Sequence, residues 1–140
     1  ETSLKFIIVL FLSTDIFVGD LINLRGDIHH LFPRDFLKKR DFDKSQYNQI
    51  ANYVYMQSEI NIKIGNKPPK DYFELVKQQM DIYDDKTVCG IKSINQLQEN
   101  LKMNCVPIEI MDMDKEHYNE FLALRRKLMA DKMREYYFSL

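Results

Sequence analysis

The spacing of apolar positions changes several times along the chain, and each change marks an element. Leu4 to Leu12 is an almost unbroken apolar run after Lys5. A membrane-spanning helix needs about 20 apolar residues, so this run predicts a buried helix, or alternatively a buried strand, and no membrane span. Ser13-Thr14-Asp15 ends it without a small-residue cleavage site, and Gly19 and Gly26 mark turns. Asp27 to Leu31 reads as a strand. Arg34 to Gln49 is a polar connection with one helical turn expected at Asp35 to Lys39. Asn52 to Met56 contains Tyr53-Val54-Tyr55 and predicts a second strand. Ser58 suits an N-cap and Gly65 a C′ position, so Glu59 to Ile64 predicts a short helix.

Helical spacing dominates the second half. Pro68-Pro69 breaks the chain, and Asp71 can cap a helix to about Tyr83, with Phe73, Val76, Met80 and Tyr83 on one face. Ser93-Ile94-Asn95-Gln96 has capping-box form and opens a helix to about Met103. Pro107 ends the next connection. From Asp114 to about Phe138 the pattern is helical, with Tyr118, Phe121, Leu122, Leu128, Met129, Met133, Tyr136 and Tyr137 as its apolar stripe. The fold class expected is α+β, mostly helical: a hairpin and helix surrounded by further helices. There are no internal repeats and no low-complexity tracts.

Composition fits one domain over 1–140, with a core at 27–73 and a helical extension at 74–140. The 140 residues include 9 Phe and 8 Tyr, enough for one core. The chain opens on Glu1 and not Met, which suggests a C-terminal piece of a longer protein. The net charge of −1 does not by itself announce a nucleic-acid binder. Its distribution is more informative. Residues 34–70 hold eight Lys and Arg against four acids, whereas residues 109–120 hold five acids against Lys115. Arg34, Lys38, Lys39 and Lys67 are therefore candidate phosphate contacts, although scattered solvated lysines would give the same count. Cys89 and Cys105 stand outside any C-x-x-C pair, which argues against a structural zinc knuckle and for reduced thiols of a cytoplasmic protein.

The candidate chemistry lies between Asp27 and Lys63. Asp27-Ile28-His29-His30-Leu31-Phe32-Pro33 is followed by Asn52, by Asn61 nine positions later, and by Lys63. Taken singly these residues are ordinary: surface histidines, a turn asparagine, a helix-start asparagine and a solvated lysine. Their order and spacing together resemble the motif of HNH (ββα-metal) nucleases. The flanking text, His30 to Lys38, Ile50-Ala51-Asn52 and Ile64 to Tyr72, is similar to the C-terminal HNH domain of GmrSD-type, modification-dependent restriction enzymes. The core motif is also similar to the HNH domain of RNA-guided DNA nucleases. The likeness is densest from Asp27 to Phe73, returns at Tyr118 to Ala130, and is weak from Asp81 to Met113. Asn23-Leu24-Arg25-Gly26 is shorter than the segment that leads into the histidines in that family.

The resemblance implies a DNA endonuclease of a prokaryotic restriction or phage-defence protein, leaving 5′-phosphate and 3′-hydroxyl ends. It gives His30 the role of general base, since a neutral imidazole accepts a proton near physiological pH. It gives His29 and the Asn61 oxygen the role of metal ligands, for Mg²⁺ or Mn²⁺ with Zn²⁺ or Ni²⁺ as alternatives. Asp27 shares the strand face of His29 by period two, as a further ligand or, preferably, as a carboxylate orienting the ring. Adjacent strand residues point to opposite faces, so the strand must end or bend at the His pair for both to serve one phosphate. Within the catalytic set, Asn52 is expected to hold the loop around His30 by bonding its backbone, and Lys63 to contact phosphate. Arg125 and Arg126 are expected in helix-surface salt bridges, with contact to DNA as the lesser reading. The partners implied are DNA and the family's N-terminal nucleotide-dependent regulatory domain. A catalytically inactive HNH-derived DNA-binding or interaction module, and a structural metal-binding domain, are the rival readings.

Overall fold

A computed structural model describes Ile16, residues 26–80 and residues 89–140. The apolar run at Leu4 to Leu12, the turn at Gly19 and the helix end at Tyr83 lie outside the described residues. Within them the protein is mostly helical with a two-stranded antiparallel sheet, so the expected α+β class holds. Strand β1 is Asp27–His30 and strand β2 is Tyr53–Met56, paired in the register Asp27 to Met56 and His30 to Tyr53. Between them run α1 (Arg34–Lys38), α2 (Lys44–Tyr47) and a 3-10 turn (Ile50–Asn52). Then follow α3 (Ser58–Ile64), α4 (Pro69–Gln79) and α5 (Ile94–Met103). Two 3-10 turns, Ile108–Asp112 and Lys115–His117, lead into the long α6 (Tyr118–Ser139).

The boundaries that moved have local causes. Asn52 sits in a 3-10 turn and not in β2, because its side chain is committed to other backbone. Helix α2, not anticipated from the pattern, is set by a capping box in which Asp43 accepts from Gln46 N–H and the Gln46 side chain accepts from Asp43 N–H. Ser58 is the first residue of α3 and not its cap, and its hydroxyl donates to Asp27 Oδ2 at 3.3 Å instead. Helix α4 starts at Pro69, two residues before Asp71, because proline at the first helical position loses no internal hydrogen bond. Ser93 caps α5 by accepting from Gln96 N–H, and the Gln96 side-chain oxygen accepts from Lys92 N–H.

One buried cluster runs from Leu31, Phe32, Phe36 and Leu37 through Val54, Met56, Ile60 and Ile64 to Phe73, Leu97, Tyr118 and Phe121. Phe32 packs at 5.2 Å from the Tyr118 ring and 5.0 Å from Phe121, so α6 lies directly behind the loop that follows β1. Such pairs add about 0.5–1.5 kcal/mol each beyond the area they bury. Gly26 precedes β1 where only glycine fits: a Cβ there would stand 2.0 Å from the Met56 carbonyl oxygen.

Helix α6 departs from its expected stripe. Tyr118, Phe121, Leu122 and Met129 are buried, but Leu128, Met133, Tyr136 and Tyr137 are exposed. The buried face runs Phe121, Arg125, Met129, at steps of four, and stops there.

Candidate functional site

Strand β1 ends at His30, which meets the expectation that the strand stops at the histidine pair. Leu31 N–H still donates to Asn52 carbonyl oxygen at 2.8 Å, but from Phe32 the chain turns away toward α1. What holds this turn is a set of buried polar side chains from distant parts of the sequence. Asn52 is completely buried. Its Oδ1 accepts from Phe32 N–H at 2.8 Å, and its Nδ2 donates to the carbonyls of Phe32 and Tyr47, each at 3.1 Å. Asn52 therefore holds the loop around His30, as expected of it. Both ends of its amide are thus engaged by backbone.

Two tyrosines extend the clamp. Tyr72 Oη donates to the Leu31 carbonyl at 2.7 Å, and Tyr118 Oη donates to the Gln46 carbonyl at 2.8 Å. Burial pushes both phenols well above their ordinary pKa, so each keeps the proton it donates.

Arg125 corrects the expectation of a helix-surface salt bridge. It is fully buried and has no carboxylate partner among the described residues. Its guanidinium donates to the carbonyls of Ala51 (2.9 Å), Tyr53 (2.6 Å) and Asn104 (3.3 Å). A planar fork of donors suits convergent carbonyls, and here it ties the start of β2 to α6 and to the end of α5. Burial lowers its pKa to about 10, so it remains charged at neutral pH. Arg126 is exposed and donates to Gln49 Oε1 at 3.0 Å, again without a carboxylate.

Within this frame the two histidines differ. His30 Nε2 lies 2.9 Å from Asn48 Oδ1, and its ring meets Tyr53 edge-on at 5.1 Å and Tyr47 at 6.3 Å. Its pKa is lowered, first by burial and then by the positive Arg34, against the raising effect of the Asn48 bond. His30 is thus neutral and able to accept a proton at physiological pH. Asn48 was not anticipated from the sequence. It lies four residues before Asn52, and nothing in its local pattern separates it from a turn asparagine.

His29 shares its strand face with Asp27. Burial lowers the His29 pKa, and the Asp27 carboxylate partly restores it. His29 Nε2 is buried without a hydrogen-bond partner. Buried polar atoms in folded proteins are nearly always paired, and this nitrogen is one of three exceptions among the described residues, with Asn104 Oδ1 and Arg125 Nε. Ser58, the first residue of α3, meets Asp27, so β1 and the helix carrying Asn61 adjoin on this side. Asn61 is half-buried in that helix, and Lys63 is exposed two residues on. Among the described residues no three His, Cys, Asp or Glu side chains converge to hold a metal.

The basic residues also divide. Arg34 pairs with Asp35 at 3.2 Å while exposed, and its charge reaches His30. Lys38 and Lys39 are exposed beside it in the same stretch. Lys67 folds back on the carbonyls that end α3, 3.5 Å from that of Lys63 and 3.4 Å from that of Ile64. Arg40 stacks on the Phe36 ring, and Lys70 pairs with Asp114 at 2.6 Å, so part of the basic excess is structural. Cys89 and Cys105 are free and buried, and burial raises both thiols above their ordinary pKa. No helix among the described residues is long and apolar enough to cross a membrane.

No family model matches the sequence, and no solved structure matches it. The chain is similar to an uncharacterized protein of the archaeon Methanocaldococcus jannaschii, 28% identical over 119 residues. That match takes in 76% of this chain but only 20% of the relative, so the chain spans about a fifth of the protein it resembles.

Proposed function

We propose that this chain is a metal-dependent DNA endonuclease domain with a ββα-metal core, formed by β1, β2 and α3 within a helical surround. The observation that carries this reading is the Asn52 amide, buried behind His30 and bonded to both polar groups of Phe32. An asparagine at that place in an HNH-type spacing has this task. His30 then accepts the proton of the attacking water, and its lowered pKa keeps it in the accepting form. His29 Nε2 and the Asn61 side-chain oxygen would hold a divalent cation, with Asp27 orienting the His29 ring. The bound ion supplies positive charge against the phosphate and the leaving oxygen. In this reading Lys63 would contact the phosphate, and Arg34, Lys38, Lys39 and, on leaving the carbonyls that end α3, Lys67 would meet the neighbouring backbone.

An imidazole in the ligand set suits Mn²⁺, Ni²⁺ or Zn²⁺ better than Mg²⁺. The flanking sequence points to a GmrSD-type restriction or phage-defence protein. Its nucleotide-dependent regulatory domain would then be the partner and would supply the choice of DNA.

The test is nicking of supercoiled plasmid with Mn²⁺, with Mg²⁺ and with excess EDTA. Mn²⁺ is expected to support cleavage at least as well as Mg²⁺, and EDTA to abolish it. Cleavage in excess EDTA contradicts the metal scheme. DNA binding without nicking, unchanged by chelator, favours an inactive HNH-derived module, and unfolding by chelator favours a structural metal domain.

A further inference from the structure

The contact between Asn48 and His30 fixes more than the position of a ring. Asn48 closes α2, its N–H bonded to the Lys44 carbonyl at 3.1 Å. The two carbonyls before it are held from outside the segment, that of Gln46 by Tyr118 Oη and that of Tyr47 by Asn52 Nδ2. The Gln49 carbonyl after it accepts from Asn52 N–H at 2.8 Å, so the Asn48 side chain leaves a backbone that is anchored on both sides. Its Oδ1 stands 2.9 Å from His30 Nε2 and can only accept a hydrogen bond. A neutral imidazole carries a single N–H, so that hydrogen must be on Nε2 for the contact to be favourable. Turning the ring over would place a carbon against Oδ1 and lose the bond, and the edge-on rings of Tyr53 and Tyr47 confine the imidazole in its present plane. His30 Nδ1 has no hydrogen bond to any described residue.

We propose that Asn48 is a positioning residue that fixes His30 as the Nε2–H tautomer and leaves Nδ1 as the nitrogen that accepts the proton. The catalytic half of this statement rests on the reading of His30 as the general base. The tautomer half stands on the geometry alone. The Asn48 side chain does for the imidazole what a carboxylate does for the histidine of a hydrolase triad, setting which nitrogen is free, but without adding charge. Asn48 acts through His30 and does not itself meet DNA.

The experiment is ¹⁵N NMR of the imidazoles in the whole chain, in EDTA at pH 8 where the ring is neutral, with the His30 signals assigned by their loss in His30→Ala. The wild type should show Nε2 protonated and Nδ1 bare. Asn48→Leu should lose this preference and give a mixture of tautomers, whereas Asn48→Asp, which keeps an acceptor, should retain it. Cleavage with Mn²⁺ should fall by roughly 10- to 100-fold in kcat for Asn48→Leu, with KM nearly unchanged, and recover largely in Asn48→Asp. Protonated Nδ1 in the wild type overturns the proposal, as does a His30 signature that is the same in Asn48→Leu. The expected tautomers in a protein that does not cut DNA would refute the nuclease reading while upholding the role of Asn48 on the ring.

Discussion

The two faces of β1 are one residue apart and differ in kind. On the His30 face most of the polar groups that shape the site are paired, the buried Nε of Arg125 being an exception. Asn48 meets the imidazole, Asn52 holds Phe32, Tyr72 holds Leu31, and Arg125 holds the carbonyls on either side of Asn52. On the His29 face a buried ring nitrogen has none, and the acid beside it is exposed. Under the proposed function the first arrangement suits a base, whose ring must be held in place. The second suits a cation site, with a desolvated ring nitrogen and negative charge at hand. Preorganised groups act without further rearrangement, so under the proposed function the pairing on the His30 face would serve the base it holds.

The largest effect expected is on the unpartnered face. His29→Ala should weaken Mn²⁺ binding by more than about 100-fold, since removing a ligand outweighs the 10- to 100-fold typical of its supporting partners. Calorimetric titration of the metal reads this directly, and unchanged affinity would leave the orphaned Nε2 without its proposed ligand. Folding should hardly change.

The partnered face should respond the other way. Asn52→Leu strips three hydrogen bonds from buried backbone and should cost about 3 kcal/mol of stability. Arg125→Met takes the donor from the carbonyls of Ala51, Tyr53 and Asn104 but also removes a buried charge, so about 2 kcal/mol is expected. Urea denaturation measures both. A stability loss under about 0.5 kcal/mol in either variant, the range of an ordinary surface change, would show that the clamp is not what holds the loop.

A smaller effect follows from the pKa of the pair. Burial holds both imidazoles below the usual histidine value in the folded state. The unfolded chain therefore takes up protons first as pH falls through about 6.5. Stability of the metal-free protein should be full above that pH, decline as pH drops, and level off below the folded pKa values. Thermal melts in EDTA between pH 5 and pH 8 would show it, and His29→Gln combined with His30→Gln should flatten the profile. A double variant as pH-sensitive as the wild type would place the acid lability elsewhere.

Much of the partnered face was legible in the sequence because its residues belong to one short motif. The strand carrying the histidines, the second strand and the task of Asn52 all follow from residues 27 to 56. The clamp from outside was not. Tyr72, Tyr118 and Arg125 act on carbonyls of the 31–53 segment that lie 41 to 74 residues away in sequence, and a backbone carbonyl carries no residue signature. Arg125 did leave one trace. It lies four residues after Phe121 and four before Met129, in the middle of the buried face of α6. An arginine at such a place is committed to carbonyls or to a counter-ion more often than to solvent. Its neighbour Arg126, one step round the helix, is exposed. The continuation of the stripe through Met133, Tyr136 and Tyr137 misled for the opposite reason: helical spacing reports a face, and only the length of the body decides how far that face is covered.

The smallest effect expected is that of the exposed cations near His30. Lys38→Ala and Lys39→Ala should leave stability and sequence choice alone and each reduce the salt dependence of DNA binding by about one unit of slope if the residue meets a phosphate. An unchanged slope would make that lysine a solvated charge.

The contrast between the faces turns on His30 doing chemistry and not merely closing a strand. The direct measurement is Mn²⁺-supported plasmid nicking by His30→Ala beside the wild type, with DNA binding followed on the same samples. The rate should drop by roughly 10²- to 10⁴-fold, the usual contribution of an acid–base group, while binding is retained. Nicking by His30→Ala at the wild-type rate would contradict the account.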